Sequence, residues 1–324
     1  MIYKSIKDIQ ASAMGFGCWA MGGTWNNVTD KESIEAVRAA IDHEINFFDV
    51  APVYGLGHAE MVLGQALEGI DRSKVVIATK CGLVWDENKQ VRNDLSAQSL
   101  IKEVEESLVR LKTDYIDLYQ VHWPDPNTSI AETAAALAEL KRQGKIRHVG
   151  VSNYSLAQTR EMMEGVEVAT FQGLYNLLEQ NPTHYHNIPL QYRTRDEVLP
   201  FCAQNDMKYL PYSPLMQGLL TGALKRSGNW DNNDDRSNNP KLNGEAFLPY
   251  YNCVEELKTL AQEAGVPLPH LAIHWLVAQQ EVGPVIAGAH TIEQVKDNAS
   301  FIHSTAKREV LEAAEQIVAK WQLD

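Results

Sequence analysis

The chain has 324 residues, 44% of them hydrophobic, enough for one large domain or two ordinary ones. Its formal net charge of −13 excludes the broad basic face of a general nucleic-acid binder, though not a local basic pocket for one phosphate. Four scattered cysteines without a C-x-x-C pair point to neither a metal site nor a disulfide framework, and no apolar run approaches the roughly 18 residues of a membrane helix. A cytoplasmic protein with no membrane or nucleic-acid partner is the expectation.

Residues 2–9 are expected to form an N-terminal β-hairpin. Eight short apolar runs follow: MGFGCW, INFFDV, KVVIATK, YIDLYQVH, IRHVGVS, VATFQG, MKYLPYS and GPVIAGA. Between them lie amphipathic stretches with apolar residues at three- and four-residue spacings, the mark of helices. Thr29 or Asp30 and Ser96 stand where helix caps belong, and Gly144 where a helix should stop. Near-continuous apolar strands alternating with helices mean a parallel sheet covered by helices. A doubly wound sheet would carry G-x-G-x-x-G after an early strand, and GFGCWAMGG is not that motif. The expected fold is a single (β/α)8 TIM barrel over residues 1–324. Two stretches interrupt the rhythm, residues 176–195 and the Asn/Asp/Gly-rich residues 225–249, and loops of this length in a compact domain are usually functional lids or disordered.

The C-terminal ends of barrel strands share one mouth, where catalytic groups collect. The strand-like runs end in Asp49 (with Tyr54 beyond it), Lys80, His122, Ser152 with Asn153, Gln172, and Tyr212 with Ser213. Singly, Asp49 could be a cap, Lys80 a solvent-reaching lysine, His122 a hydrogen-bonded rim residue and Tyr54 a packing group. Together they make chemistry. A buried lysine needs a carboxylate, which Asp49 supplies. A nearby ammonium lowers a tyrosine pKa, so Lys80 is expected to tune Tyr54 as a general acid toward a carbonyl oxygen that His122 orients.

At these residues the chain resembles the aldo-keto reductase superfamily, in a bacterial branch similar to inositol-catabolism reductases and potassium-channel β subunits. The family's Asp, Tyr, Lys and His tetrad is matched by Asp49, Tyr54, Lys80 and His122, with FFDVAPVYGLGHAEMVLGQAL, GVSNYS and PYSPLMQGLLTG as further matches. The resemblance implies hydride transfer between an extended nicotinamide cofactor and an aldehyde, ketone or sugar carbonyl, with Tyr54 as proton donor. It implies that Gly17, Cys18 and Trp19 flank the nicotinamide, that Ser152, Asn153 and Gln172 hold its carboxamide, and that Tyr212 stacks on its ring. Ser213, Pro214, Leu215, Gln217 and Gly218 match the pyrophosphate segment. Gly288, His290, Gln294 and Asn298 match the adenosine-phosphate site, and Arg236 resembles an arginine brought over it. Many members place Lys or Arg where this chain has His290, Thr291 and Gln294. NADP(H) is the expected cofactor, with NAD(H) the alternative.

His122 stands where members that reduce steroid C=C bonds carry glutamate, which favours carbonyl chemistry. Oxidation of a sugar or polyol uses the same tetrad, and a cofactor-sensing regulatory subunit would also keep it. Trp19, Trp85, Trp123 and Tyr185, with Tyr54 and His122, are the candidate substrate contacts. No metal is expected.

Overall fold

The computed structural model describes residues 1–23, 28–228, 230 and 234–323. Eight parallel strands close into a barrel in chain order: β1 (Met14–Gly17), β2 (Phe47–Asp49), β3 (Val76–Cys81), β4 (Ile116–Val121), β5 (Ile146–Ser152), β6 (Val168–Leu174), β7 (Lys208–Tyr212) and β8 (Val285–Gly288). Six of the eight strands are shorter than the apolar runs that mark them. Residues such as Cys18, Trp19 and Val50 have already left the ladder to build the mouth.

Helices α1 (Asp30–Asp42), α2 (His58–Ala66), α3 (Ala97–Leu111), α4 (Ile130–Arg142), α5 (Leu156–Gly165), α6 (Leu199–Gln204), α7 (Gly244–Ala264), α8 (Leu268–Val277), α9 (Ile292–Ala299) and α10 (Arg308–Trp321) complete the fold. Local chemistry sets several of their ends. Thr29 and Ser155 form capping boxes with Glu32 and Gln158, each satisfying two otherwise orphaned backbone donors. Ser96 and Ser129 cap α3 and α4 through their hydroxyls. Gly144 follows α4 with φ of 76°, a conformation glycine adopts without strain. Of the described helices, none is long and apolar enough to cross a membrane.

The hairpin expected over residues 2–9 is longer, pairing Tyr3–Ile6 with Ile9–Ser12. Its Ile6, Ile9 and Ala11 pack with Phe47, Val76, Ala78, Leu118, Ala169, Leu210 and Ile286 in a cluster separate from the main core. These are the inward side chains of six strands, so the hairpin plugs the barrel floor.

The period of two in a strand does the rest. Phe48, Ile77, Tyr119, Phe171 and Tyr209 face outward into the main core under the helices. Two residues beyond the inward Phe47, Ala78, Leu118 and Leu210 come Asp49, Lys80, Gln120 and Tyr212. The polar residues thus form a layer of the barrel interior directly above an apolar plug.

Candidate active site

Lys80 is the centre of that layer, its side chain 1% exposed. Its ammonium donates to Asp49 Oδ2 at 2.7 Å, to the Tyr54 hydroxyl at 3.0 Å and to the Val50 carbonyl at 3.1 Å. Three acceptors satisfy the three protons an ammonium carries. The other Asp49 oxygen accepts from Gln172 Nε2 at 2.8 Å and Gln120 Nε2 at 3.2 Å. A buried charge pair is tolerated only when its remaining hydrogen-bonding capacity is met, and here it is.

Tyr54 arrives from the β2–α2 loop, whose course depends on a close backbone approach. Gly55, at φ of 64°, lies against Gly22, and a Cβ on Gly55 would stand 2.5 Å from the Gly22 carbonyl oxygen. Trp19 meets the Tyr54 ring edge-on at 4.8 Å between centroids, and His122 does so at 5.8 Å. The phenol is thereby held between two aromatic neighbours with its hydroxyl on Lys80.

The electrostatic balance corrects one expectation. The Tyr54 pKa is raised, not lowered: burial penalises the phenolate by more than the Lys80 ammonium stabilises it, and Asp49 adds a further upward push. Lys80 is itself raised: burial penalises the ammonium, but Asp49 and Tyr54 together more than offset that penalty. Burial, aided by the Lys80 charge, holds His122 well below the ordinary imidazole value. The resting site therefore pairs a neutral phenol with a neutral imidazole.

Asn153, at φ of 59°, turns sharply after β5. Its amide nitrogen donates to Ser152 Oγ at 3.1 Å and the His122 carbonyl at 3.3 Å, while its oxygen accepts from Tyr212 at 3.0 Å. After β7, the segment 213–218 carries Ser213, Met216 and Gln217 at φ of 53°, 45° and 49°. Three non-glycine residues in left-handed backbone within six positions are costly, and such strain persists where the surroundings over-determine it.

One cavity of about 770 Å³ joins these parts, within the range of small-molecule and cofactor pockets. It runs from Gly17, Cys18, Trp19, Asp49, Tyr54, His122 and Trp123, past Ser152, Asn153, Gln172 and Tyr212. It continues along Ser213, Pro214, Leu215, Gln217 and Gly218 to Arg236, Gly288, His290, Gln294 and Asn298. Lys80 lies behind this wall and reaches the cavity through Tyr54. Trp85 is a correction: it is not among the lining residues. It lies on a small hairpin, Leu83–Trp85 with Val91–Asn93, whose first residue, Leu83, reaches the cavity instead.

Both long loops fold over this groove. In residues 176–195 a tight hairpin, His184–Tyr185 with Ile188–Pro189, brings Tyr185 edge-on to Tyr212 at 5.3 Å. Buried Glu179 pairs with Lys241 at 2.8 Å, tying this loop to the next. Asn239 donates to Gln217 at 2.9 Å, and Arg236 is held by Asp234 at 2.9 Å and covers the Trp230 ring at 4.2 Å. Asn229 and residues 231–233 of the second stretch lie outside the described residues. Sequence reasoning did not single out Gln120, Val53, Leu83, Ile188 or Asp297. Gln120 alone had a signal, an amide inside an otherwise apolar strand.

At the far end, Thr291 caps α9 by accepting from the Gln294 backbone at 3.2 Å, and Gln294 Oε1 accepts from the His290 backbone at 2.9 Å. The donors of this helix start are thus partly spent within the chain. Among the described residues, no cluster of three or more His, Cys, Asp or Glu could hold a metal.

The profile of the Aldo/keto reductase family matches residues 13–319. The chain is 39% identical to Aldo-keto reductase YhdN of Bacillus subtilis (strain 168), over 91% of this chain and 87% of that one. It is 35% identical to the NADH-specific methylglyoxal reductase of Escherichia coli (strain K12), over 95% and 97%. A probable voltage-gated potassium channel subunit beta of Arabidopsis thaliana is 30% identical over 93% and 91%. Among solved structures, the glycerol dehydrogenase AKR11B4 from Gluconobacter oxydans superposes with a TM-score of 0.86 at 34% identity, covering 98% of this chain and 94% of its own. The chain belongs to the aldo/keto reductase family and is an oxidoreductase.

Proposed function

We propose that the protein reduces an aldehyde or ketone with a nicotinamide dinucleotide, Tyr54 acting as the general acid. The observation that carries this reading is the hydrogen-bonded chain Asp49–Lys80–Tyr54 beside His122, opening into a cavity of cofactor size.

The lining fits such a cofactor. Polar Ser152, Asn153 and Gln172 face an aromatic ring, Tyr212, and a strained turn leads on to the adenosine-side residues. Ser152, Asn153 and Gln172 hold the carboxamide in this reading, Tyr212 packs on the ring, and the 213–218 segment follows the pyrophosphate. Asn153 gains such a contact by exchanging one of its present bonds to Ser152 or His122. Reduced nicotinamide, when bound, supplies the hydride.

Negative charge that grows on the carbonyl oxygen is met by the Tyr54 hydroxyl, which gives up its proton as Lys80 stabilises the phenolate left behind. A neutral His122 can donate one N–H to the same oxygen without competing for that proton. Asp49 keeps the lysine charged and aimed.

For the cofactor, the adenosine end favours NAD(H) over the NADP(H) expected from the sequence. Its imidazole, His290, is held below its ordinary value by burial despite the pull of Glu32, so it offers no full positive charge near neutrality. Asp297 lines the same end, and Arg236 is already engaged with Asp234. A 2′-phosphate would find little compensation there. The NADH specificity named for the Escherichia coli relative agrees with this.

Fluorescence titration with NADH and NADPH tests the cofactor reading, tighter NADH binding being expected and tighter NADPH binding contradicting it. Reduction of a simple aldehyde by the preferred cofactor tests the activity.

A further inference from the structure

We propose that Gln120, which lies behind the cavity wall, is a positioning residue for the reaction: it holds the Gln172 amide in the one orientation that presents its oxygen to the nicotinamide carboxamide. This rests on the cofactor reading above and assigns a role to a side chain that touches neither cofactor nor substrate.

Both glutamines are buried inside the barrel, and of the two only Gln172 lines the cavity. Gln172 Nε2 donates to Asp49 Oδ1 at 2.8 Å and to Gln120 Oε1 at 3.2 Å, while Gln120 Nε2 donates to the same Asp49 oxygen at 3.2 Å. The three side chains close a ring. A carboxylate only accepts, so Asp49 dictates that both amides turn their nitrogens toward it. Gln120 then offers its oxygen to the second Gln172 proton. With both protons committed, the Gln172 oxygen is the one polar atom of that side chain left for a ligand among the described residues.

Reaching Gln172 from β4 means crossing β5, and the sequence leaves room for it. At the level of Gln120, β5 carries Gly150, which is paired on its other side with Thr170 of β6. A Cβ on Gly150 would stand 2.8 Å from Gln120 Cγ and press on the Thr170 hydroxyl. Gly150 is not among the glycines with positive φ, so glycine serves space here rather than backbone conformation.

The Asp49–Lys80 pair does not depend on Gln120, because Gln172 alone already donates to Asp49 Oδ1. What Gln120 supplies is the acceptor for the second Gln172 N–H. Without it that proton is buried unpaired, which is costlier than a hydrogen bond is favourable. The amide then turns to find another partner and carries its oxygen off the carboxamide.

The test titrates the full chain with two reduced dinucleotides, the preferred cofactor and its 3-acetylpyridine analogue. The analogue keeps the carbonyl oxygen but replaces the carboxamide NH2 by a methyl group. Wild type should bind it at least about tenfold more weakly, because the Gln172 oxygen loses its donor. Gln120→Met, with Gln120→Leu as a second apolar variant, should weaken the cofactor about tenfold and leave the analogue nearly unchanged, so that discrimination shrinks toward unity. Gln120→Glu should restore it at about pH 6, where a buried acid beside Asp49 keeps its proton and can both accept from Gln172 and donate to Asp49. A merely structural role would weaken both dinucleotides alike. Equal binding of the two by wild type, or an unchanged ratio in the apolar variants, would overturn the proposal and leave the cofactor reading standing. If wild type binds neither dinucleotide, the cofactor reading fails and the role of Gln120 falls with it.

Discussion

The Lys80 ammonium lies 2.7 Å from Asp49 Oδ2, and both side chains are almost wholly withdrawn from solvent. Removing one member of such a pair strands the other. Lys80→Met should destabilise the protein by about 3 kcal/mol, because the Asp49 carboxylate is left buried without its counter-ion. Adding Asp49→Asn should recover part of that loss. Denaturant titration of the two variants reads this directly, and a single variant as stable as wild type would contradict it.

The pH dependence of the reaction follows from the two shifted groups. His122 is held well below its ordinary value, so it stays neutral through the physiological range. Tyr54 is raised by burial, so it keeps its proton there. For carbonyl reduction, kcat/KM should be flat across neutrality and fall only as pH rises through the elevated Tyr54 pKa. A break near the ordinary histidine value of about 6.5 would mean that His122 titrates in the free enzyme.

Gly55 tests how closely the Tyr54 loop is held. A Cβ there meets the Gly22 carbonyl oxygen at 2.5 Å, and the positive φ of 64° adds strain. The loop must shift, and Tyr54 with it. Gly55→Ala should lower kcat by about a hundredfold, the scale of loss from a misplacement of roughly 1 Å. Cofactor affinity should change much less, since the contacts along β5, β7 and β8 lie elsewhere. Equal losses in both would indicate general unfolding instead.

Glu103 is buried beneath the end of β3, where its two oxygens accept from the Gly82 N–H at 3.0 and 3.2 Å. Burial raises its carboxyl to about 7, the Gly82 and Ser99 hydrogen bonds opposing only part of the shift. A carboxyl raised on folding contributes stability that is full below its unfolded value and lost as pH climbs through the folded one. Between about pH 4.5 and 7, wild type should therefore lose roughly 3 kcal/mol relative to Glu103→Gln. Parallel stability curves for the two proteins would show that Glu103 does not carry this penalty.

Much of this architecture was legible in the sequence. Each of the eight apolar runs marks one barrel strand, because a strand covered on both faces must be apolar almost throughout. The polar residues at their ends betrayed the mouth, since Asp49, Lys80 and His122 have no reason to end buried runs unless they meet. Burial depth was not legible, and it reversed the sign at Tyr54. Sequence spacing brings an ammonium near the phenol but says nothing of how much water remains. Nor could spacing reveal Gln120 as a donor to Asp49, because that role depends on the inward register of β4 beside β3. Trp85 failed for a related reason: of the short hairpin it sits on, Leu83 lines the cavity and Trp85 does not, and two-stranded excursions leave little periodic signal.

The most direct measurement is single-turnover reduction of an aldehyde by the Tyr54→Phe variant, with cofactor affinity determined on the same protein. Removal of one hydroxyl leaves the ring and its contacts with Trp19 and His122 in place. The account predicts near-normal cofactor binding and a reduction rate lower by about 10² to 10⁴, the usual contribution of a general acid. A variant that binds cofactor and still reduces the aldehyde at the wild-type rate would show that the proton comes from another group.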